Sequence, residues 1–298
     1  MHKRTTEHFH PAASGIDALP YPEIAGHLLT AQMDALSAVE PAIEDLSKAA
    51  TLMARTVRNG DRLIYAAAGS SGLMAAADAL ELPGTFGISA DRIRIFMAGG
   101  LPTGSEMPGA TEDDAQSAEA AAQNISAGDV VIAVSASGST PYAVALARAA
   151  REAGAKTICI ANNSDAPLFE HATVAICLPT PPEVVAGSTR LGAATSQKAA
   201  LNIMSTLMGV ALGHVHDGLM VNVQVENAKL KERAIGIVSH IADVPADAAE
   251  AYLAGTDGQV KPAVLMAAGA GSAAKAQELL EACDGQLRAT LATLNETT

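Results

Sequence analysis

From Asp61 onward the chain alternates short, wholly apolar runs with longer stretches whose apolar residues recur every three or four positions. An unbroken apolar run bounded by turn residues marks a strand buried on both faces, and the three-to-four spacing marks a helix with one buried side. The strand-like runs are LIYAAAG from Leu63, Ile93–Ala98, Val130–Val134, Thr157–Ile160 and Val174–Leu178. Between them, SSGLMAAADALEL (70–82) predicts a helix stopped at Pro83-Gly84. A second helix is expected from Glu112 to about Asn124, a third over Pro141–Ala153, and a short helical turn near Leu168. Repeated strand–helix units of this length imply a parallel sheet with helices on both faces, a three-layer α/β architecture with five strands. The flavodoxin-like order 2-1-3-4-5 is the expected arrangement.

The flanks are helical. Residues 1–20 read as irregular, punctuated by Pro11, Gly15 and Pro20. Tyr21 to about Asn59 carries a helical pattern, broken at Pro41 and stopped at Gly60. After GSTR (187–190) comes a long helix with apolar positions nearly all round, which suits the core or a subunit interface. Another helix is expected over Asn222–Ile241, and beyond Val244 two or three short helices separated by Gly255, Gly258 and Gly285. These patterns divide the chain into an N-terminal helical segment (1–60), a core with its following helices (61–242) and a small C-terminal helical domain (243–298).

Composition narrows the function. Hydrophobic residues make up 49% of 298, which excludes a disordered chain, while aromatics are only 3%, so Ala, Leu, Ile, Val and Met must fill the core. A net charge of −13 argues against a nucleic-acid or anionic-membrane partner. The N-terminus has no signal-peptide core, and the apolar stretch around Ala199–Gly213 is too short and polar for a membrane span. A cytoplasmic protein is expected. Cys159, Cys177 and Cys283 show no metal spacing and read as structural thiols in a reducing compartment. His214 and His216 have no third ligand nearby and read as surface or interface histidines, so no metal is expected.

Two loops carry the candidate chemistry. Val130–Tyr142 passes from an apolar strand through SASGST into a helix with Pro141 at its first position and Thr140 or Ser139 as cap. Gly69-Ser70-Ser71-Gly72 follows the first strand in the same way. Hydroxyls and backbone N–H groups at a helix N-terminus form an anion site. Each loop singly is equally an ordinary capped turn. As a pair after strands one and three they would share the crevice at the switch point, which favours phosphate binding by Ser70, Ser71, Gly72, Ser135, Ser137, Gly138, Ser139 and Thr140. No Walker lysine and no GxGxxG is present, so no nucleotide cofactor is implied. Ser188, Thr189, Arg190 and Lys198 gather at the start of the long helix, where an anion site and an ordinary cap are equally compatible. Spacing alone makes Glu81 a surface acid and Glu112–Asp114 companions of a Thr111 helix cap.

GSSG and SASGST resemble the phosphosugar-binding loops of the sugar isomerase (SIS) domain. Further strings resemble the N-acetylmuramic acid 6-phosphate etherase family: DALELPGTFG (78–87), MAGG (97–100), ATEDD (110–114), SGSTPY (137–142), AGSTRLGAATSQKAALN (186–202) and LMVNVQVENAKLKERA (219–234). So do TTE (5–7), GIDAL (15–19) and GQVKPAVLM (258–266), so the likeness runs nearly the whole chain in order. Glucokinase regulatory protein, a non-catalytic phosphosugar binder, is similar in the same domain. The resemblance implies a homodimeric lyase, free of metal or organic cofactor, acting on a phosphosugar. It would cleave the D-lactyl ether of N-acetylmuramic acid 6-phosphate to N-acetylglucosamine 6-phosphate and D-lactate. It assigns Glu81 as the acid for lactate departure and Glu112 as the base at C2, roles that could be exchanged. It also adds Ser188 and Lys198 to the phosphate ligands.

A partly buried Glu81 opposing its helix dipole would have a raised pKa and serve as the acid. Against the family, Leu73 replaces a common Arg and Gly192 a common Lys, so two cations near the expected site are missing. The alternatives to the lyase are a phosphosugar sensor, which needs neither glutamate, and an aldose–ketose isomerase, which needs no acid for a leaving ether.

Overall fold

The computed structural model describes residues 5–225 and 227–297. The first four of the residues expected to be irregular lie outside them. Helix α1 (Tyr21–Ser37) and α2 (Ile43–Arg58) are separated by a short turn, Glu40–Ala42, that contains Pro41. There follow β1 (Leu63–Ala67), α3 (Gly69–Phe86), β2 (Ile93–Met97), α4 (Ala115–Ala122), β3 (Val130–Ser135), α5 (Pro141–Glu152), β4 (Lys156–Ala161) and β5 (Val174–Cys177). The sheet is parallel, in the order β2-β1-β3-β4-β5. It is the three-layer α/β fold that the alternating pattern predicts.

Side chains alternate across the strands. Ile64, Ala66, Val131 and Ala133 pack with Leu146 and Ala150 of α5 and Ala118 of α4 on one face. On the other face α2 lies against β1, β3 and β5, and Tyr65 reaches α3. With few aromatics to place, alanines line these interfaces and let helices approach the sheet closely.

Helix α6 (Gly192–Ala211) is followed by a hairpin of β6 (Val215–His216) and β7 (Leu219–Met220), then α7 (Ala228–Ala242), α8 (Ala246–Ala254), α9 (Val260–Ala267), α10 (Ala273–Ala282) and α11 (Leu287–Thr297). The hairpin corrects the expected helix start at Asn222. Asp217 and Gly218 both have positive φ, 46° and 77°, which is the twist a two-residue hairpin needs. The helix begins only after Asn227, whose side chain accepts from the Leu230 N–H at 2.9 Å.

The chain divides into two compact units. One holds residues up to 80 together with 91–205, and the other holds 81–90 with the residues from 206 on. The second unit has its own core, in which Val221, Ile237, Leu253, Val264, Leu280 and Leu294 pack together. This core draws α7 in with α8–α11, so the packing does not divide the chain at residue 243.

At the amino ends of β1 and β3, Asp129 is 2% exposed and accepts from Arg62 Nε (3.1 Å) and Nη2 (2.6 Å). It also accepts from the Arg62 and Ser126 backbone N–H groups. Burial pushes this carboxyl up, but the Arg62 guanidinium and the two N–H groups outweigh it and hold the group below its ordinary value. A lowered folded-state pKa contributes stability above the unfolded value, and that contribution is lost as pH falls through the folded value. Asp129→Ala is therefore expected to lower unfolding free energy by about 3 kcal/mol at neutral pH. The gap should close in acid, as measured by urea titration at both pH values.

Candidate active site

Parallel pairing sets β1 and β3 side by side, with Ala67 opposite Val134, so their carboxyl ends deliver two loops to one place. Helix α3 starts at Gly69, two residues past β1, and α5 at Pro141. In the second loop the expected hydroxyls form one linked cluster. Ser135 Oγ lies 2.8 Å from Thr140 Oγ1 and accepts from the Gly138 N–H at 3.0 Å, while Ser137 Oγ accepts from the Ser139 hydroxyl at 3.1 Å. Gly138 has φ +68° and a Cβ there would collide with the Ala166 methyl, so only glycine makes this turn. Thr140 occupies the cap position of α5, but its hydroxyl is turned to Ser135 and makes no capping bond to the helix.

In the first loop Ser70 is half-buried, and Ser71 and Gly72 are buried. Gly72 has Met97 packed against it, where an added Cβ would sit at 3.0 Å. The first turn of an α-helix has N–H groups without intrahelical partners, and two such turns side by side give a positive pole.

Glu112 joins the two loops. Its backbone carbonyl accepts from the Tyr142 N–H in the first turn of α5, at 3.0 Å. Its carboxylate lies over Gly69, which has φ +53° and where any Cβ would collide with Glu112 Oε1. The expected helix start at Glu112 is corrected by the same geometry. Asp114 is the cap of α4, accepting from the Ser117 N–H at 2.9 Å, so Glu112 falls in the preceding loop and its side chain is not committed to the helix. Burial, and then the Asp114 carboxylate, push the Tyr142 phenol up, so it stays neutral beside this loop.

Glu81 stands differently from the expectation. Helix α3 does not stop at Pro83 but continues through it to Phe86, and the Gly87 N–H closes the last turn on the Pro83 carbonyl at 2.9 Å. Glu81 is therefore inside the helix, and it is exposed rather than partly buried in the single chain.

The start of α6 is also reorganised. Gly192 and Ala193 donate their N–H groups to the two carboxylate oxygens of Glu183, each at 2.9 Å. Glu183 is 4% exposed, so a carboxylate of the protein itself already fills the pole expected to attract an anion through Ser188 and Lys198. Ser188 lies in the loop before α6, and Lys198 is exposed on that helix. Position 192 has no room for a side chain, since a Cβ would stand 2.9 Å from Ala35 Cβ in α1 and 3.2 Å from Glu183 Oε2. Leu73, the other missing cation, is 37% exposed on α3.

A buttress of amides behind the second loop was not foreseen. Asn162 and Asn163 follow β4, and both bond the Ala136 carbonyl at 3.0 Å, Asn162 through its backbone N–H and Asn163 through its side chain. Gln197 Nε2 donates to Asn162 Oδ1 at 2.8 Å, and the Thr5 N–H donates to Asn163 Oδ1 at 2.9 Å. The signal was two adjacent asparagines directly after a buried strand. Among the described residues no group of three or more His, Cys, Asp or Glu is arranged to hold a metal.

This is a parallel α/β sheet with two hydroxyl-lined helix starts at its switch point, the architecture of SIS domains. The SIS domain family matches residues 102–210. A solved structure described as a phosphosugar isomerase involved in capsule formation, from Bacteroides fragilis NCTC 9343, shares the fold. Its TM-score is 0.54 at 21% identity, covering 67% of this chain and 95% of that one. Along the whole sequence the chain is 39% identical to N-acetylmuramic acid 6-phosphate etherase of Deinococcus radiodurans over 97% of its length and 95% of the relative's. It is 38% identical to the Geobacillus thermodenitrificans etherase, over 96% and 98%. The chain belongs to the N-acetylmuramic acid 6-phosphate etherase family, a family of carbon–oxygen lyases.

Gly69→Ala puts a methyl where Glu112 Oε1 lies and strains a positive φ by about 1–2 kcal/mol. The expected outcome is a folded protein with activity down on the order of 100-fold, read from steady-state kinetics beside a thermal melt. Restoring the lysine common in the family, Gly192→Lys, is expected to destabilise by about 1–3 kcal/mol in denaturant titration, because α1 must give way.

Proposed function

We propose that this protein cleaves the D-lactyl ether of N-acetylmuramic acid 6-phosphate to N-acetylglucosamine 6-phosphate and D-lactate, as in amino-sugar recycling. The observation that carries the reading is Glu112, whose backbone is bonded to the first turn of α5 and whose carboxylate lies over Gly69 at the start of α3. The phosphate would rest on Ser70, Ser71, Ser135, Ser137, Ser139 and Thr140 at the two helix starts, where Gly72 and Gly138 keep the turns free of side chains. The start of α6 contributes less, since Glu183 already occupies it.

The sugar reacts in its open-chain form, where the C2 proton is acidified by the neighbouring aldehyde. Glu112 removes that proton to give an enolate, and Glu81 then delivers a proton to the lactate oxygen as the C3–O bond breaks. Water then adds across the C2–C3 double bond, its oxygen to C3 and a proton to C2, which balances the reaction without any redox change.

A second copy of the chain would cover part of the surface. Tyr21, Leu29, Met33 and Leu36 of α1 are exposed apolar residues, with Leu29 61% exposed, which supports a homodimer. A reducing, cytoplasmic setting fits three cysteines without disulfides, of which Cys159 is pushed by burial up to about 12 and stays a neutral thiol.

The test is incubation with N-acetylmuramic acid 6-phosphate in deuterated water. Wild-type protein is expected to release D-lactate and leave deuterium at C2 of the product. Glu112→Gln should lose both lactate release and C2 exchange, by about 100- to 10,000-fold. Glu81→Gln should lose lactate release but keep C2 exchange in the unreacted sugar. Binding with neither lactate nor exchange in the wild type would overturn the reading.

A further inference from the structure

Asp78 is 4% exposed and lies on α3, one turn before Glu81. Its carboxylate has three neutral donors. Tyr65 Oη of β1 donates to Oδ2 at 2.8 Å, and Asn202 Nδ2 and Ser205 Oγ of α6 both donate to Oδ1 at 2.8 Å. Tyr65 is itself fully buried. A buried carboxylate is costly in a fold unless its bonds are well made, and an apolar side chain of similar size fills the same space at no such cost. What the apolar side chain lacks is direction. Three bonds from two elements fix both the rotation of α3 about its axis and its position along it.

The helix needs this restraint just here. Pro83 has no N–H, so the bond it would make to the Ala79 carbonyl is missing, and the turn Leu80–Leu82 is held less firmly by the helix itself. Residues three apart are separated by about 4.5 Å along a helix and lie on neighbouring stripes, so a small roll at Asp78 swings Glu81 by a similar distance.

We propose that Asp78, held by Tyr65, Asn202 and Ser205, is a positioning residue that sets the aim of Glu81 for protonating the departing oxygen. The inference rests on the functional reading above, because it acts through the proton delivered by Glu81. It is separate from the C2 step, because Glu112 is held by the starts of α3 and α5 and by none of these four side chains.

That separation supplies the test. Tyr65→Phe removes one hydroxyl from a buried ring and keeps its shape, and Asp78→Asn keeps the size of the side chain while removing its charge and turning one of its two acceptor oxygens into a donor. Each is assayed on the phosphorylated substrate in deuterated water, for lactate release and for C2 exchange, beside wild type and Glu81→Gln, with a thermal melt to fix the folded fraction. The expected result is lactate release down about 10- to 100-fold with KM within about threefold and C2 exchange retained, the pattern of Glu81→Gln in weaker form. A residue that served only stability would lower release and exchange together, in step with the folded fraction. Parallel loss of the two signals, or full lactate release by both variants, overturns the positioning role while leaving the functional reading intact. A wild-type protein that releases no lactate overturns both.

Discussion

The pairing of β1 with β3 is the constraint on which the rest depends. Right-handed crossovers send successive strands outward in opposite directions from this pair, so its two loops have no helix between them and open into the same space. Residue-by-residue parallel register from Leu63–Val130 to Ala67–Val134 then aligns the ends of the strands, and with them the first turns of α3 and α5. Each turn adds about half a positive charge. Small residues make the geometry possible, because Gly69 and Gly138 stand where any Cβ would strike Glu112 or Ala166. Asp129 and Arg62 pin the opposite end of the same strand pair.

A chain with net charge −13 that lacks the Arg and Lys common at 73 and 192 has to attract an anion by other means. In the proposed reading two helix starts and a linked set of hydroxyls would do so, with dipoles in place of full charges. Glu183 bears on how many poles are available. By satisfying two N–H groups of α6 it takes that helix start away from the ligand, and the glycine at 192 lets Ala35 close over the place where a lysine would have stood. In this chain the glycine at 192 and the internal carboxylate of Glu183 thus meet at one helix start.

The strands and the loop pair were legible because apolar runs and serine–glycine clusters are local signals, and each strand lies within a residue or two of its expectation. The roles proposed for the two glutamates rest on family resemblance, since nothing in the spacing of Glu112 separates a loop carboxylate from a helix-start acid. The Asp217-Gly218 dipeptide is itself a hairpin signal, between the two helices that periodicity marks. Other features depend on partners far away in sequence. Asp78 meets residues 13, 124 and 127 positions distant, and Glu183 caps a helix nine residues on. No periodicity reports such bonds. The helix that runs through Pro83 misled for a related reason, because a proline's local penalty can be outweighed by tertiary packing.

Three buried or nearly buried acids mark three separate solutions to one cost. Asp129 has a guanidinium, Glu183 has a helix start, and Asp78 has neither, only a phenol, an amide and a hydroxyl. Hydrogen bonds from neutral donors return less than an ion pair or a helix dipole with its N–H groups, so Asp78 is the least compensated of the three. It is also the one that sits a single turn from a glutamate matched to the proton-transfer step. Stability alone would be served as well by apolar residues in place of the acid and its three donors together. A direction-setting bond network at that place, on the turn weakened by Pro83, is what the proposed delivery of a proton by Glu81 would require.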